Sequence, residues 1–550
     1  MNSQQLEVIE STATKKIVIA GPGSGKTTTL IADIVRRPNI IGDKRIIILS
    51  FTTAAAIEIR KRIEEKAPEV IQDIAHCGTL DSFMLKSLRS RHNVNYAVAS
   101  EETAIDVLKA TLKHMSIKAS LSSLEILMKL PHLMRGSGSG TKEELAVFTM
   151  HRTLEASGMM TFDRIRAEAL ELWMNHPPEC WRLYVDEFQD SEESDLEAYS
   201  LIKADYVFYV GDPDQAIYGF RGMSAYHISN MRFLKDSRMF HLSLNYRSCE
   251  KICRFASGLI SHNQNRISGG DATISAGNSI GGGVTISEAP DPSSEIAKVW
   301  SDIVAMVHSG ISTIGECAIL ARTNWLAKSF GDFLKAQGIQ VDSKSISGMP
   351  ADWPRFKAIM SLWRSPWNDL IAGTVLGFSV SEEIVAETRR MARLQGKTVF
   401  EVAFSECNPG MSWKEFAIRH RVSPDSIAIG NLIESTIGLD DPDEFVRECQ
   451  AWRPESCATP GVFVGTAHSA KGREWDHVWV VGCEEGLFPS LQSEGNIDEE
   501  RRVFYVAVTR ARKTLNLSYS TKRPLRLGGD RVGPMQSREK SRFIQEGFNR

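Results

Sequence analysis

Three stretches of this sequence have residue types and spacing suited to handling a phosphate chain. The first is Ala20-Gly21-Pro22-Gly23-Ser24-Gly25-Lys26-Thr27-Thr28. Its glycines let successive backbone N–H groups converge on one anion at the positive end of a helix. Lys26 stands where it would reach β- and γ-phosphates, and Thr27 where its hydroxyl would ligate Mg²⁺. The second is Asp186-Glu187, directly after the apolar run Leu183-Tyr184-Val185. There the first carboxylate suits a metal, and the second suits a general base acting on water. The third runs from Gly211 to Gly222. Gln215 is placed to orient water or sense a γ-phosphate, and Tyr218 and Phe220 to stack on unpaired bases. Taken singly, such aromatics are more often core, and an acidic pair is more often surface. Their common place beside a nucleotide loop changes that.

The elements that must position these groups are legible nearby. Lys16-Ile17-Val18-Ile19 is a β-branched run that enters the glycine turn, and Leu30, Ile31, Ile34 and Val35 recur at helical spacing beyond it. That is the strand–loop–helix context a phosphate loop requires. Further buried-strand runs are Arg45 to Ser50, Leu183 to Val185 and Val207 to Val210, with amphipathic helices between them. Apolar strands alternating with helices predict a parallel sheet covered on both faces, with its chemistry at the strands' C-terminal ends. A second such pattern starts near His241, with strands at Val284 to Ile286, Cys317 to Ala321, Val462 to Gly465 and His477 to Val481. Residues from about 87 to 158, which include the Gly/Ser tract Arg135 to Thr141, and from 350 to 455 read as helical insertions. The fold class is α/β: two sheet domains, each interrupted by a mainly helical insertion.

Composition sets the outer bounds. At roughly 150 residues per domain, a chain of 550 residues holds three or four units. With 42% hydrophobic and 24% charged residues it is core-forming, which excludes a disordered or collagen-like chain. Sixty-five Lys+Arg against 68 Asp+Glu give a net charge of −3, so any cations that meet nucleic acid must be gathered in a groove. No apolar run is long enough to span a membrane, and the polar N-terminus is unlike a secretory signal. None of the nine cysteines forms a Cys-x2-Cys pair, and Cys249 and Cys253 stand at helical spacing without a second pair nearby. Buried free thiols in a cytoplasmic protein, rather than a zinc or iron–sulfur site, are expected.

Together these stretches resemble the superfamily 1 helicases of the UvrD/Rep/PcrA type. Asn2-Ser3-Gln4-Gln5 is similar to the family's adenine-reading Q motif, with Gln5 as its glutamine. Phe51 to Ala56 resembles motif Ia, Gly78 to Phe83 motif Ib, Asp186 to Asp190 motif II and Gly211 to Gly222 motif III. Leu244-Asn245-Tyr246-Arg247-Ser248 resembles motif IV, Gly465 to Trp475 motif V, and Val508-Thr509-Arg510-Ala511 motif VI. Their order and spacing are the family's. The resemblance implies two RecA-like P-loop domains, over 1–86 with 159–238 and over 239–349 with 456–550. The insertions would be 87–158 and a reduced 350–455. It also implies ATP and Mg²⁺ as cofactors and single-stranded or tailed DNA as partner, moved through with 3′ to 5′ polarity. Tyr246 would stack on adenine, Glu474 would meet the ribose, and Arg247 and Arg510 would act as arginine fingers on the γ-phosphate. Thr52, Thr79, Ser82, Tyr218, Phe220 and His468 fall where the family touches a single strand.

The chain departs from the family at several of these positions. Thr53-Ala54 replace the Asn-Lys usual in motif Ia, Asp81 stands where motif Ib often has His, and Pro213 replaces a common acid of motif III. These changes bear on grip of the strand, since an added carboxylate near a phosphate backbone weakens binding. They leave the ATP chemistry intact. A second reading is therefore a DNA-responsive ATPase subunit that regulates a partner nuclease, resembling in length and plan the UvrD-like subunits of Gabija-type anti-phage defence systems. The short run of chain beyond motif VI fits that plan. A degenerate, non-enzymatic scaffold is opposed by the presence of Lys26, Thr27, Asp186, Glu187, Gln215, Arg247 and Arg510.

Overall fold

The computed structural model describes residues 1–36, 45–92, 97–99, 101–117, 141–217, 236–264, 266, 275–342, 353–364, 382–395, 397–404, 411–422, 426–427, 431, 461–490, 496–526 and 532–548. Residues 135–140 of the expected Gly/Ser loop over 135–141, with Tyr218 and Phe220, fall outside them. One compact unit spans Met1–Phe83, Trp173–Ser345 and Ser456–Arg550, and a second spans Met84–Leu172 and Ile346–Glu455.

The first unit holds two six-stranded sheets, and every strand pairing in both is parallel. The first sheet runs in the order Ile74–Gly78, Ile46–Leu49, Glu179–Val185, Lys203–Gly211, Lys15–Ala20, Arg238–Leu242. Its interior strands are the predicted Ile/Val runs, buried on both faces as a helix-covered parallel sheet requires. Lys16 lies in this apolar strand at 0% exposure. Its ammonium meets the Val8 carbonyl at 2.5 Å and Asp33 at 3.1 Å, while Tyr184 and Tyr206 donate to the other Asp33 oxygen at 3.0 and 2.8 Å. A buried charge persists only when paired and hydrogen-bonded in this way.

The second sheet runs Gly283–Ala289, Ala511–Ser520, Trp475–Val480, Cys317–Ala321, Val462–Thr466, Val341–Asp342. Alternation along its strands divides the core between its faces. Phe463, Leu320 and Val478 pack on one side with the helices Glu250–Ile260 and Ile497–Val508, while Val464, Ile319 and Trp479 pack on the other with Pro292–His308 and Asn324–Ala336. Beneath one end lies a closed polar knot. Arg523 bonds Glu484 at 2.9 and 3.0 Å and also pairs with Glu295, which accepts from Ser518 at 2.6 Å and from the Gly482 N–H at 2.9 Å.

Four strands of these sheets have no counterpart in the sequence reading: Ile74–Gly78, Arg238–Leu242, Val341–Asp342 and Ala511–Ser520. Three are sheet edges with polar, part-exposed residues; the fourth is interior and carries Asn516, Ser518 and Ser520.

The second unit is mainly helical. Its helices include Glu101–His114, Lys142–Ala156, Trp353–Arg364, Glu382–Gln395 and Trp413–Arg419. Residues of both chain segments share one apolar core, in which Leu108, Met150 and Leu154 join Phe356, Met360, Trp413 and Phe416. Among the described residues no helix is long and apolar enough to cross a membrane.

Candidate active site

Parallel register places the chemistry-bearing segments side by side. Ile19 pairs with Gly211 and Val185 with Tyr209, so the glycine loop, Asp186-Glu187 and Asp212 leave adjacent strand ends. Gly23 and Gly25 have φ of +65° and +82°, and a Cβ on them would lie 2.6 Å from Arg247 Cβ and 2.7 Å from Gln5 Nε2. Only glycine fits both positions. Around this turn Ser24 Oγ donates to the Gly21 carbonyl at 2.7 Å, and Lys26 Nζ reaches the Ala20 carbonyl at 3.3 Å. Pro22 is buried, and Thr27 and Thr28 are half-buried at the start of the helix Lys26–Arg36.

Asp186 is buried, and its Oδ1 has no hydrogen-bond partner among the described residues. Burial, then the neighbouring Glu187, push its carboxyl up to about 7, against the pull of Lys26. Burial also raises Glu187, but Lys26, Lys471, the Gln189 hydrogen bond and Arg510 outweigh it and hold that carboxyl below its ordinary value. Glu187 is therefore the ionised member, as a general base must be. It sits at φ +51°, a left-handed conformation uncommon outside glycine. Gln189 donates to it at 2.7 Å and accepts from the Asp212 N–H at 2.9 Å. The orphaned Asp186 oxygen is a hard donor of the kind Mg²⁺ takes, and Asp186 and the Thr27 hydroxyl are the residues that would hold such an ion. Among the described residues no group of three or more His, Cys, Asp or Glu is arranged to hold a metal, and the six described cysteines are free.

The second sheet supplies cations to the same edge. Arg510, 2% exposed, donates to the Val506 carbonyl at 2.9 Å and to Gln215 Oε1 at 3.0 Å. Gln215 in turn donates to Asp212 at 2.6 Å. Burial, then the like charge of Arg247, lower Arg510 to about 9. Arg247 pairs with Glu474 and reaches the Thr509 carbonyl at 3.3 Å. Glu474 is also held by Arg512 Nε at 3.2 Å, so its carboxylate is shared between two arginines. Lys471 bonds both Asp190 oxygens at 2.6 Å and the Gln215 carbonyl at 2.9 Å. Pro213 opens a single 3₁₀ turn, Pro213–Gln215, where its missing N–H costs nothing. Beyond that turn, Ile217 is buried in the core of the second sheet.

Tyr246 is 42% exposed, with Gly277 against its ring and its hydroxyl accepting from Asn2 at 2.7 Å. Gln5 is buried; it donates to the Ser24 carbonyl at 3.0 Å and accepts from the Asn2 N–H at 3.1 Å. Of the expected strand contacts, Thr52 and Thr79 leave neighbouring strands that end in the Leu49–Gly78 pair. Both hydroxyls cap helical turns, accepting from Ala55 N and Ser82 N at 3.2 Å each. Ser82 donates to the Thr79 carbonyl at 2.7 Å. His468 hydrogen-bonds the Ile217 backbone, and burial, then Arg322, bring it down to about 4.

Several residues of this site carried no role in the sequence reading. Gln189, Asp190 and Lys471 sit inside segments already singled out, but what they touch lies up to 281 positions away. Asn245, 1% exposed, accepts from the Arg247 and Ser248 N–H groups at 2.7 and 2.8 Å and so shapes the turn that carries Arg247.

The sequence is similar to those of known proteins. The family described as UvrD/REP helicase N-terminal domain matches residues 1–145 and 149–235, and that described as UvrD-like helicase C-terminal domain matches 240–346 and 448–522. The ATP-dependent DNA helicase PcrA of Leuconostoc citreum is 25% identical, over 99% of this chain and 84% of its own. DNA helicase II of Escherichia coli (strain K12) is 26% identical, over 99% of this chain and 87% of its own. The PcrA helicase of Staphylococcus aureus (strain MRSA252) is 25% identical, over 99% and 86%. Two family halves in sequence order, each centred on one sheet of the first unit, have one meaning: the chain belongs to the UvrD/REP helicase family.

Proposed function

We propose that the protein is an ATP-dependent DNA helicase that translocates 3′ to 5′ along a single strand. One observation carries the mechanism: Arg510 of the second sheet is bonded to Gln215, which is bonded to Asp212 at the end of a first-sheet strand. The glycine loop and Lys26 hold the triphosphate, Tyr246 the adenine ring and Gln5 its polar edge. Mg²⁺ on Asp186 and Thr27 would neutralise charge on the phosphates. Glu187, kept ionised and oriented by Gln189, takes a proton from the attacking water. Gln215 positions that water, and Arg247 and Arg510 stabilise charge that builds on the γ-phosphate. Arg247 must leave Glu474 to do so, which frees Glu474 for the ribose.

Because Arg510 and the loop lie on different sheets, the nucleotide state sets how closely the sheets are held. Alternating closure changes the grip on DNA at Thr52, Thr79, Ser82, Tyr218, Phe220 and His468. The protein acts in the cytoplasm on DNA with a single-stranded tail. The named relatives are helicases, which favours this reading over a subunit that regulates a nuclease.

The test is an unwinding assay on 3′-tailed, 5′-tailed and blunt duplexes with ATP turnover followed in parallel. Opening of the 3′-tailed substrate alone is expected, and Lys26→Ala should abolish turnover. Strand-stimulated turnover without opening of any duplex would reject the helicase.

A further inference from the structure

The start of the N-terminal helix Ser3–Glu10 holds the glycine loop and the segment that follows Leu242 with three side chains. Asn2 bonds the Tyr246 hydroxyl and Gln5 the Ser24 carbonyl of the glycine loop. Gln4 makes a contact that the chemistry above does not use. Its Nε2 donates to Ser243 Oγ at 2.9 Å, and its Oε1 accepts from the Ser243 N–H at 3.0 Å.

Ser243 is where the chain leaves the edge strand Arg238–Leu242 of the first sheet. Tyr246 follows three residues later and Arg247 four. The Tyr246 N–H then donates to the Gly23 carbonyl at 2.9 Å. Two parallel bonds from one amide fix both the position and the rotation of a peptide unit, where a single bond fixes neither. The clasp thus anchors the upstream end of the short segment that carries the ring, while Gly23 holds its downstream end.

We infer that Gln4 is a positioning residue for base recognition: by clasping Ser243 it sets Tyr246 against the N-terminal helix, and so governs affinity for the nucleobase rather than for the triphosphate. This rests on reading the cleft as an ATP site. Without the clasp, the Ser243 N–H and hydroxyl turn to water and the ring loses its fixed distance from Gln5. The glycine loop keeps its own bonds to Gln5 and Gly21.

The measurement compares ATP with inorganic tripolyphosphate, which has the phosphates but no base. Gln4→Ala should raise KM for ATP about five- to tenfold with kcat changed less than about twofold. The inhibition constant for tripolyphosphate should stay where it is. Gln4→Glu should restore the wild-type KM, because a carboxylate accepts from both the Ser243 N–H and its hydroxyl. A parallel loss of tripolyphosphate inhibition would overturn the inference, since the clasp would then merely support the loop. An unchanged KM in Gln4→Ala, or no rescue by Gln4→Glu, would overturn it as well. If the wild-type protein itself turned over no ATP, the nucleotide reading would fall and this inference with it.

Discussion

The edges of the two sheets that carry the chemistry differ in how far their polar groups are already committed. On the first sheet, Asp186 keeps a buried oxygen without a partner, and Lys26 has a 3.3 Å bond to a carbonyl of its own loop. On the second, Arg510 is bonded to Val506, Arg473, Gln215 and Thr509, while Arg247 and Arg512 share Glu474. The first edge is a receptor held open, since an orphaned buried oxygen is costly until a cation or donor meets it. The second is an exchanger, whose arginines must give up one set of partners to reach a phosphate. Binding and closure are thereby separated: the first edge sets whether nucleotide is held, the second what holding it does to the other sheet.

The sharpest way to break that separation is Arg510→Ala. If Arg510 belongs to closure and chemistry, kcat should fall about a thousandfold or more while KM for ATP moves only a few-fold. Steady-state turnover with saturating single-stranded DNA measures both. A variant that lost ATP affinity and kept its kcat would assign Arg510 to the receptor instead.

A smaller effect tests the tie between the sheets that involves neither nucleotide nor arginine. Asp190 is 1% exposed, and burial raises its carboxyl to about 6 even though Lys471 pulls it down. The pair is thus intact at neutral pH and weakens as Asp190 gains a proton near pH 6. Lys471→Met should lower kcat about tenfold, and Asp190→Asn in the same chain should add little, because both changes remove one contact. Multiplying losses would mean that the two residues act separately.

Much of the open edge was legible in the sequence, and much of the committed edge was not. The glycine loop, Asp186-Glu187 and the Ile/Val strands that aim them are local patterns, in which residue type and spacing carry the geometry. Arg247 and Arg510 could be named from their motifs, but their present partners could not. Glu474 lies 227 residues from Arg247, and Gln215 lies 295 from Arg510. The strand Ala511–Ser520 was missed for a related reason. Ser518 and Ser520 look like surface residues until Glu295, over 220 positions away, supplies their bonds. Polar groups buried against distant partners leave no periodic trace. Thr52 and Thr79 show the opposite limit: the sequence placed them near a strand, and the structure shows hydroxyls that cap helical turns, a role any chain needs.

The comparison extends to the helical unit, where a polar group is neither open nor committed. His151 is 3% exposed in the helix Lys142–Ala156, and neither ring nitrogen has a partner among the described residues. Burial, then the nearby Arg164, lower it from 6.5 to about 4. Because the folded value lies below the unfolded one, the unfolded chain binds the extra proton between pH 6.5 and 4, and stability falls as pH falls through that window. Between pH 7 and pH 5 this single residue should cost about 2 kcal/mol. His151→Leu, similar in volume and with nothing to protonate, should remove that loss. Urea unfolding of both proteins at the two pH values measures it as a difference of differences, which cancels the other titrating groups. If both proteins lost equal stability, His151 would have to find a proton acceptor when the core opens locally, and its isolation would not be what sets the acid limit of this unit.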